Sequence, residues 1–374
     1  MTQSLPDVLI VGGGLIGCSL AAELAERGAA VTVLERGKPG AEASGAAAGM
    51  LTAQCDASER SAFFELQLES RRLYPEWTSR LLEETGIDAG YRRTGLLQCA
   101  FEGSGNALSS LYEWQRAVGL RVETRGPEEL AAEVDGRLSR RVVGGVFFPD
   151  EAMVDPRLLS RAVELAARRR GARLRTGVSA RRFRLENGVC RGVETDEGCL
   201  DAGAVVDAAG AWAAFDPSLT IPIPVHPVRG QIVRIKMPGE ALPTMVRSEE
   251  VYIVPRPDGT ALLGSTEELV GFRNEVTAGA VERLLSASRR LVPSLEASRF
   301  VEAWSGLRPG TSDGLPLLGD SPVPGLFFAT GHFRHGILLA PMTARIVADA
   351  VQGVLEHDLS AFSPARFAEA LRHA

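Results

Sequence analysis

The stretch "DVLIVGGGLIGCSLAAELAERGAAVTVLERG", which begins at Asp7, constrains the fold more than any other part of the chain. Val8 to Val11 is a short β-rich apolar run, the pattern of a strand buried on both faces of a parallel sheet. Gly12-x-Gly14-x-x-Gly17 follows. A helical stretch then runs to about Arg27 and stops at Gly28. Val31 to Leu34 forms the next strand, with Glu35 at its end. Each glycine has a physical task. Gly12 permits the tight turn, Gly14 lets a pyrophosphate approach the backbone, and Gly17 lets helix and strand pack closely. The helix N-terminus offers free N–H groups and a positive dipole end to phosphates. Glu35 can accept hydrogen bonds from ribose hydroxyls, and an acid there opposes a 2′-phosphate. A lone glycine motif is weak, but here strand, turn, helix, strand and acid occur in the order a dinucleotide site requires. The motif does not distinguish FAD from NAD.

Further along, residues 42–51 are small and glycine-rich, so their backbone can lie against something flat. Residues 61–84 read as a helix that Pro75 bends or breaks. Residues 107–118 and 127–134 are further helix candidates. At 155, Asp155 is a natural N-cap, Pro156 fits the first helical position, and Gly171 ends the helix. Asn187-Gly188 and Glu197-Gly198 mark hairpins. Residues 204–212 read as a buried strand ending in a glycine turn. Residues 217–265 read as antiparallel strands, with a turn at Pro257-Asp258-Gly259. Residues 325–351 repeat strand, turn, helix. The expected fold is α/β in two domains, a Rossmann-like dinucleotide domain and an antiparallel-sheet substrate domain. Residues 1–85, 146–216 and 301–374 are assigned to the first, and 86–145 and 217–300 to the second. A ligand binds between them.

Composition narrows the function. The net charge of −6 is unsuited to nucleic acid or an anionic membrane surface. Five cysteines (18, 55, 99, 190 and 199) show no CxxC spacing, so neither a disulfide framework nor a zinc site is expected. His332 and His335 stand three apart with no acid or cysteine close in sequence, so no metal is expected there either. No signal peptide or long apolar run is present, and a cytoplasmic location is expected.

Four motifs carry a resemblance over essentially the full chain. They are the Gly12/Gly14/Gly17 turn with Glu35, "SGAAAGM" at 44–50, "VVDAAGAW" at 205–212, and "GLRPGTSDGLPLLG" at 306–319 with "TGHFRHGILLAP" at 330–341. The chain resembles the D-amino-acid-oxidase-type FAD oxidoreductases, and within them the glycine oxidase branch linked to thiamine-thiazole synthesis. The resemblance implies FAD as cofactor. It places Leu15 and Ile16 in the pyrophosphate turn and Glu35 on the adenosine ribose. Ala43, Ser44, Ala48, Gly49 and Met50 would line the flavin, as would Gly210 in the third motif. Val178 would meet the adenine part through its backbone. His332, Phe333, Arg334, His335, Gly336, Ile337 and Leu338 would close over the flavin. Tyr252, Arg308 and Arg334 would face the substrate.

The chemistry is consistent with those three residues. An α-amino acid brings a carboxylate into an apolar pocket, where a guanidinium fork can hold it. The implied reaction is oxidation of glycine, sarcosine or small D-amino acids, with dioxygen as acceptor and a homo-oligomer as the assembly. Two alternatives are a quinone-linked D-amino-acid dehydrogenase and a non-catalytic flavin-binding protein. Two branches of the family attach FAD covalently, one through a cysteine in the C-terminal third and one through an N-terminal histidine. Here the last cysteine is Cys199 and the first histidine His226, so non-covalent FAD is expected. His335 departs from the pattern, because this branch commonly carries asparagine there. A histidine at that point is larger and can titrate near neutral pH, so three roles stay open: narrowing the pocket, altering the pH profile, or making the same backbone-directed hydrogen bond.

Overall fold

A computed structural model describes residues 7–102, 108, 111–219, 221, 223–354 and 356–367. Two sheets organise it. The first has six strands in the order Leu317–Asp320, Leu326–Thr330, Ala204–Asp207, Val8–Val11, Val31–Glu35, Arg173–Thr176. All neighbours are parallel except the 317–320 edge strand, which runs antiparallel to 326–330. In the central strands 8–11, 204–207 and 326–330 alternate side chains bury on opposite faces, which is why they read as nearly continuous apolar runs. Val8, Ile10, Val31 and Val33 pack with Leu20, Leu24, Leu339 and Ile346 of the helices Leu15–Glu26 and Gly336–Val351. Leu9, Val11, Leu34 and Val205 pack under Phe183 and Val193 of a three-stranded sheet, Ala180–Glu186, Val189–Thr195 and Gly198–Asp201.

The second sheet has eight strands in the order Arg299–Thr311, Val225–Lys236, Thr260–Gly264, Tyr252–Pro255, Met245–Arg247, Leu96–Phe101, Val142–Phe148, Glu123–Arg125. Its strands also sort by parity. Leu97, Val233, Val246, Ile253 and Leu263 face the helix Ala278–Leu291. Leu96, Met245, Val254, Leu262 and Ile232 face the interior between the sheets.

Five features differ from the sequence reading. Strand Arg299–Thr311 pairs along Val225–Lys236, so the start of the 301–374 segment belongs to this second sheet, which is antiparallel except where Met245–Arg247 runs parallel to Leu96–Phe101. Strand Val142–Phe148 crosses the boundary placed at 146 and pairs with Leu96–Phe101. Pro75 neither breaks nor splits its helix, which is continuous over Ala62–Thr85. That helix is held from outside: Ser70 Oγ donates to Leu338 O at 2.7 Å and Tyr74 OH donates to Ile337 O. Pro75 itself is exposed, so the carbonyl its ring leaves unpaired can bond water. The candidate helix over 107–118 is a helix over Glu113–Ala117; residues 103–107, 109 and 110 lie outside the described residues. The helix Ala278–Leu291 has no counterpart in the sequence reading.

Candidate active site

One cavity of about 730 Å³ runs between the two sheets. At one end lies the glycine turn. Gly12 has φ +110°, and a Cβ there would stand 2.3 Å from Ala208 O, so only glycine fits. The helix Leu15–Glu26 starts on the cavity wall, and Leu15 N–H donates to Ser44 Oγ at 2.9 Å. Glu35 accepts from Gly13 N–H at 2.8 Å and Gly37 N–H at 2.7 Å. Each carboxylate oxygen keeps a lone pair for a ribose hydroxyl. Val178 donates its N–H to Glu35 O, which leaves its carbonyl as the backbone group available to a ligand. Arg36 stacks 3.8 Å from the centroid of the Trp212 ring on the same wall.

The middle of the cavity is floored by residues 43–49, whose side chains are small. Trp304 Nε1 donates to Ala46 O at 2.9 Å, and buried Arg256 donates to Ala48 O at 2.6 Å and Val154 O at 2.9 Å. A Cβ on Gly306 would lie 2.5 Å from Ala46 Cβ. An elongated groove with a phosphate-ready helix end, a ribose acid and a flat floor of small side chains fits an extended FAD.

The far end is built by the antiparallel sheet. Its register sets Gln98, Arg247, Tyr252, Gly264, Ile232 and Trp304 in one row on the interior face. Gly264 leaves a gap in that row, and the Tyr252 ring fills it, since a Cβ there would sit 2.3 Å from the Tyr252 hydroxyl. Gly230 leaves a second gap, taken by the Arg308 guanidinium at 2.2 Å from a would-be Cβ. Arg308 Nη2 then reaches Ser265 Oγ at 2.7 Å and Nη1 reaches Thr266 O at 3.1 Å. Both acceptors are neutral, and among the described residues no carboxylate lies within ion-pair distance of Arg308. Burial holds its guanidinium below the usual arginine range; Tyr252 and the cavity-lining Glu267 partly offset this, and Arg334 adds repulsion. Burial likewise pushes the Tyr252 hydroxyl up.

The 331–338 turn closes the rim. Phe333 has φ +46°, and the exposed Arg334 lies 5.3 Å from the Phe333 ring centroid. His332 is buried, with Nε2 3.0 Å from Thr343 Oγ1. His335 is buried edge-on to Phe63, 5.3 Å between centroids. Burial pushes the His335 imidazole down to about 4, and Asp56 only partly offsets this. Of the roles open to His335, titration near neutral pH is the one its burial disfavours, because the charged form loses its hydration there.

Of the residues assigned from the sequence, all but two line the cavity. Gly17 and Leu338 do not. A Cβ on Gly17 would stand 2.0 Å from Gly12 O, so its role is packing beneath the turn. Leu338 points into the core at 1% exposure. Among the further residues that line the far end and carry no assignment from the sequence, two are paired with each other. Arg247 and Asp56 form an ion pair at 2.7 Å. Arg247 has a traceable signal, being the residue opposite Tyr252 on a paired strand, but that register is not a local pattern. Asp56 sits in an irregular segment with none.

Comparison with known proteins bears on the same site. Residues 7–350 match the family described as FAD dependent oxidoreductase. The bifunctional protein ThiO/ThiG of Trichormus variabilis is 38% identical over 358 residues, covering 92% of this chain and 52% of that protein. The chain thus spans about half the length of that relative. Glycine oxidase of Geobacillus kaustophilus is 39% identical over 368 residues, covering 96% and 97%. A crystal structure of glycine oxidase from Geobacillus kaustophilus superposes with a TM-score of 0.92 at 38% identity, covering 96% of this chain and 98% of that one. The match runs from the first strand through the last long helix, and the chain belongs to the FAD dependent oxidoreductase family.

Proposed function

We propose that the protein oxidises glycine and other small amino acids, such as sarcosine and small D-amino acids, using non-covalent FAD and dioxygen. One observation carries this reading. Arg308 is a cavity-facing guanidinium held by neutral oxygens and set beside the Tyr252 hydroxyl. A half-buried cation with no acid in ion-pair distance is costly, and a ligand carboxylate supplies a direct counter-charge. When bound, FAD supplies the acceptor that takes the Cα hydrogen as hydride and passes two electrons to dioxygen, giving hydrogen peroxide. The chain's residues orient and exclude. Arg308 and Tyr252 grip the α-carboxylate, Arg334 closes the rim over the substrate, and the 331–338 turn shuts out water. A substrate amine that reacts neutral needs no protein base. The imine then hydrolyses to a 2-oxo acid and ammonia, or passes to a partner in thiamine-thiazole synthesis.

The glycine oxidase likeness supports the substrate class. No cysteine lines the cavity among the described residues, which supports non-covalent binding. Acid precipitation should leave yellow flavin in the supernatant; flavin pelleting with the protein would refute it. No described helix is long and apolar enough to cross a membrane. A cytoplasmic homo-oligomer belongs to the same reading, and sedimentation checks the assembly. Oxygen uptake with purified protein on glycine, sarcosine, D-alanine and D-proline tests the activity. Peroxide formed in step with uptake is expected. Flavin reduction without oxygen uptake would instead favour a quinone-linked dehydrogenase.

A further inference from the structure

The far end of the cavity carries a second guanidinium that an α-carboxylate does not use. Arg247 stands directly opposite Tyr252 across the strands Met245–Arg247 and Tyr252–Pro255. Its Nη1 lies 2.7 Å from Asp56 Oδ1 and 3.2 Å from Cys55 Sγ. The two side chains are 25% and 14% exposed, so the pair is largely screened from bulk water. Asp56 is held there by construction. Three consecutive N–H groups, of Ala53, Gln54 and Cys55, donate to fully buried Glu151 at 3.0, 2.6 and 3.3 Å. Glu151 is itself paired with Arg71 at 3.2 Å. A buried carboxylate spent on one short turn fixes the residue that follows it.

Arg308 and Arg247 therefore differ in kind. Arg308 meets neutral oxygens, whereas Arg247 meets a resident carboxylate. A guanidinium already matched by an acid attracts no second anion, and the acid repels one. We propose that the Asp56–Arg247 pair is the side-chain specificity determinant: Asp56 masks Arg247, excludes substrates with a second carboxylate, and confines the site to small uncharged side chains. This rests on the reading that Arg308 and Tyr252 hold the α-carboxylate.

The test is ligand binding to the holoenzyme, followed by the flavin absorbance, with acetate, malonate and succinate as non-oxidised ligands. In the unaltered protein neither dicarboxylate binds tighter than acetate. In Asp56→Asn the better dicarboxylate gains about tenfold relative to acetate, the scale of one charge-assisted hydrogen bond. The double variant Asp56→Asn/Arg247→Gln loses that gain. An unchanged ratio in Asp56→Asn, or a gain that survives in the double variant, overturns the proposal. Should Asp56→Asn fail to hold flavin, Arg247→Gln alone answers. It leaves Asp56 unmatched, and the dicarboxylates should weaken about tenfold relative to acetate; an unchanged ratio overturns the proposal there too. The ratio of kcat/KM for D-aspartate over D-alanine should rise with the binding ratio in Asp56→Asn. Failure of the underlying reading shows separately, as acetate binding that Arg308→Ala leaves intact.

Discussion

Arg308 and His335 are the two residues whose environments say most. The Arg308 fork lies flat in the gap over Gly230 and reaches Ser265 and Thr266 with separate nitrogens. Lysine keeps the charge but cannot span both acceptors and a carboxylate. Arg308→Lys should raise the KM for glycine about 10- to 100-fold with FAD content unchanged, as steady-state kinetics on flavin-normalised enzyme would show. His335 makes a prediction about stability. Its folded pKa is pushed down to about 4 by burial, below the usual 6.5, so the unfolded chain binds the proton more tightly. Stability is then full above about pH 6.5 and falls as pH drops toward 4, by on the order of 3 kcal/mol for this one residue. His335→Asn should flatten that slope in thermal melts between pH 6.5 and 4.5. A slope as steep as that of the unaltered protein would contradict the assignment. The sequence made the position legible, but not the burial against Phe63 that decides how it titrates.

At the scale of elements, the sheet register carries the substrate end. Gly230 and Gly264 are gaps through which two long side chains reach the cavity. A methyl at Gly230 meets only the tip of Arg308, which can swing aside, so the fold tolerates it while the site does not. Gly230→Ala should raise KM for glycine about tenfold or more, with unchanged far-UV circular dichroism and FAD content. The elements that were legible from local pattern share a reason. The glycine turn, the Asp155-capped helix and the Asn187-Gly188 hairpin are each fixed within about ten residues. The rest depends on distant partners. Strand Arg299–Thr311 joins the antiparallel sheet because 225–236 lies beside it, and Ala62–Thr85 stays whole at Pro75 because the 336–351 helix braces it. The helix Ala278–Leu291 lies beyond residues 217–265, whose prolines and strand-like runs read as sheet, in a stretch for which no element is expected. Its buried stripe of Leu284, Ala287 and Leu291 is nonetheless helical in spacing.

On the scale of the whole molecule, the cavity exists because the two sheets are tied through the floor at 43–49. Trp304 bonds Ala46 from the antiparallel sheet, and Arg256 bonds Ala48 and Val154. Arg256 is buried, with both contacts to main-chain carbonyls, and it does not line the cavity. Arg256→Met should leave those carbonyls unpaired and loosen the floor, weakening FAD binding about tenfold in flavin titrations of apoprotein. An unchanged affinity would show that the floor holds without it. The resemblance found in the motifs implied FAD and placed residues along the glycine turn, the floor and the rim of the cavity, since most of those residues sit in contiguous signatures. Arg247 and Asp56 meet only through tertiary packing, so no contiguous signature contains them.

The central claim is that an unmatched guanidinium at Arg308 makes this cavity a site for amino-acid oxidation. Anaerobic addition of glycine to the holoenzyme tests it most directly, with the flavin absorbance near 450 nm as the readout. Glycine should bleach the flavin of the unaltered protein. In Arg308→Ala with FAD still bound, the glycine needed for half-maximal bleaching should rise about 100-fold. Bleaching by glycine at the same concentrations in both proteins would contradict it.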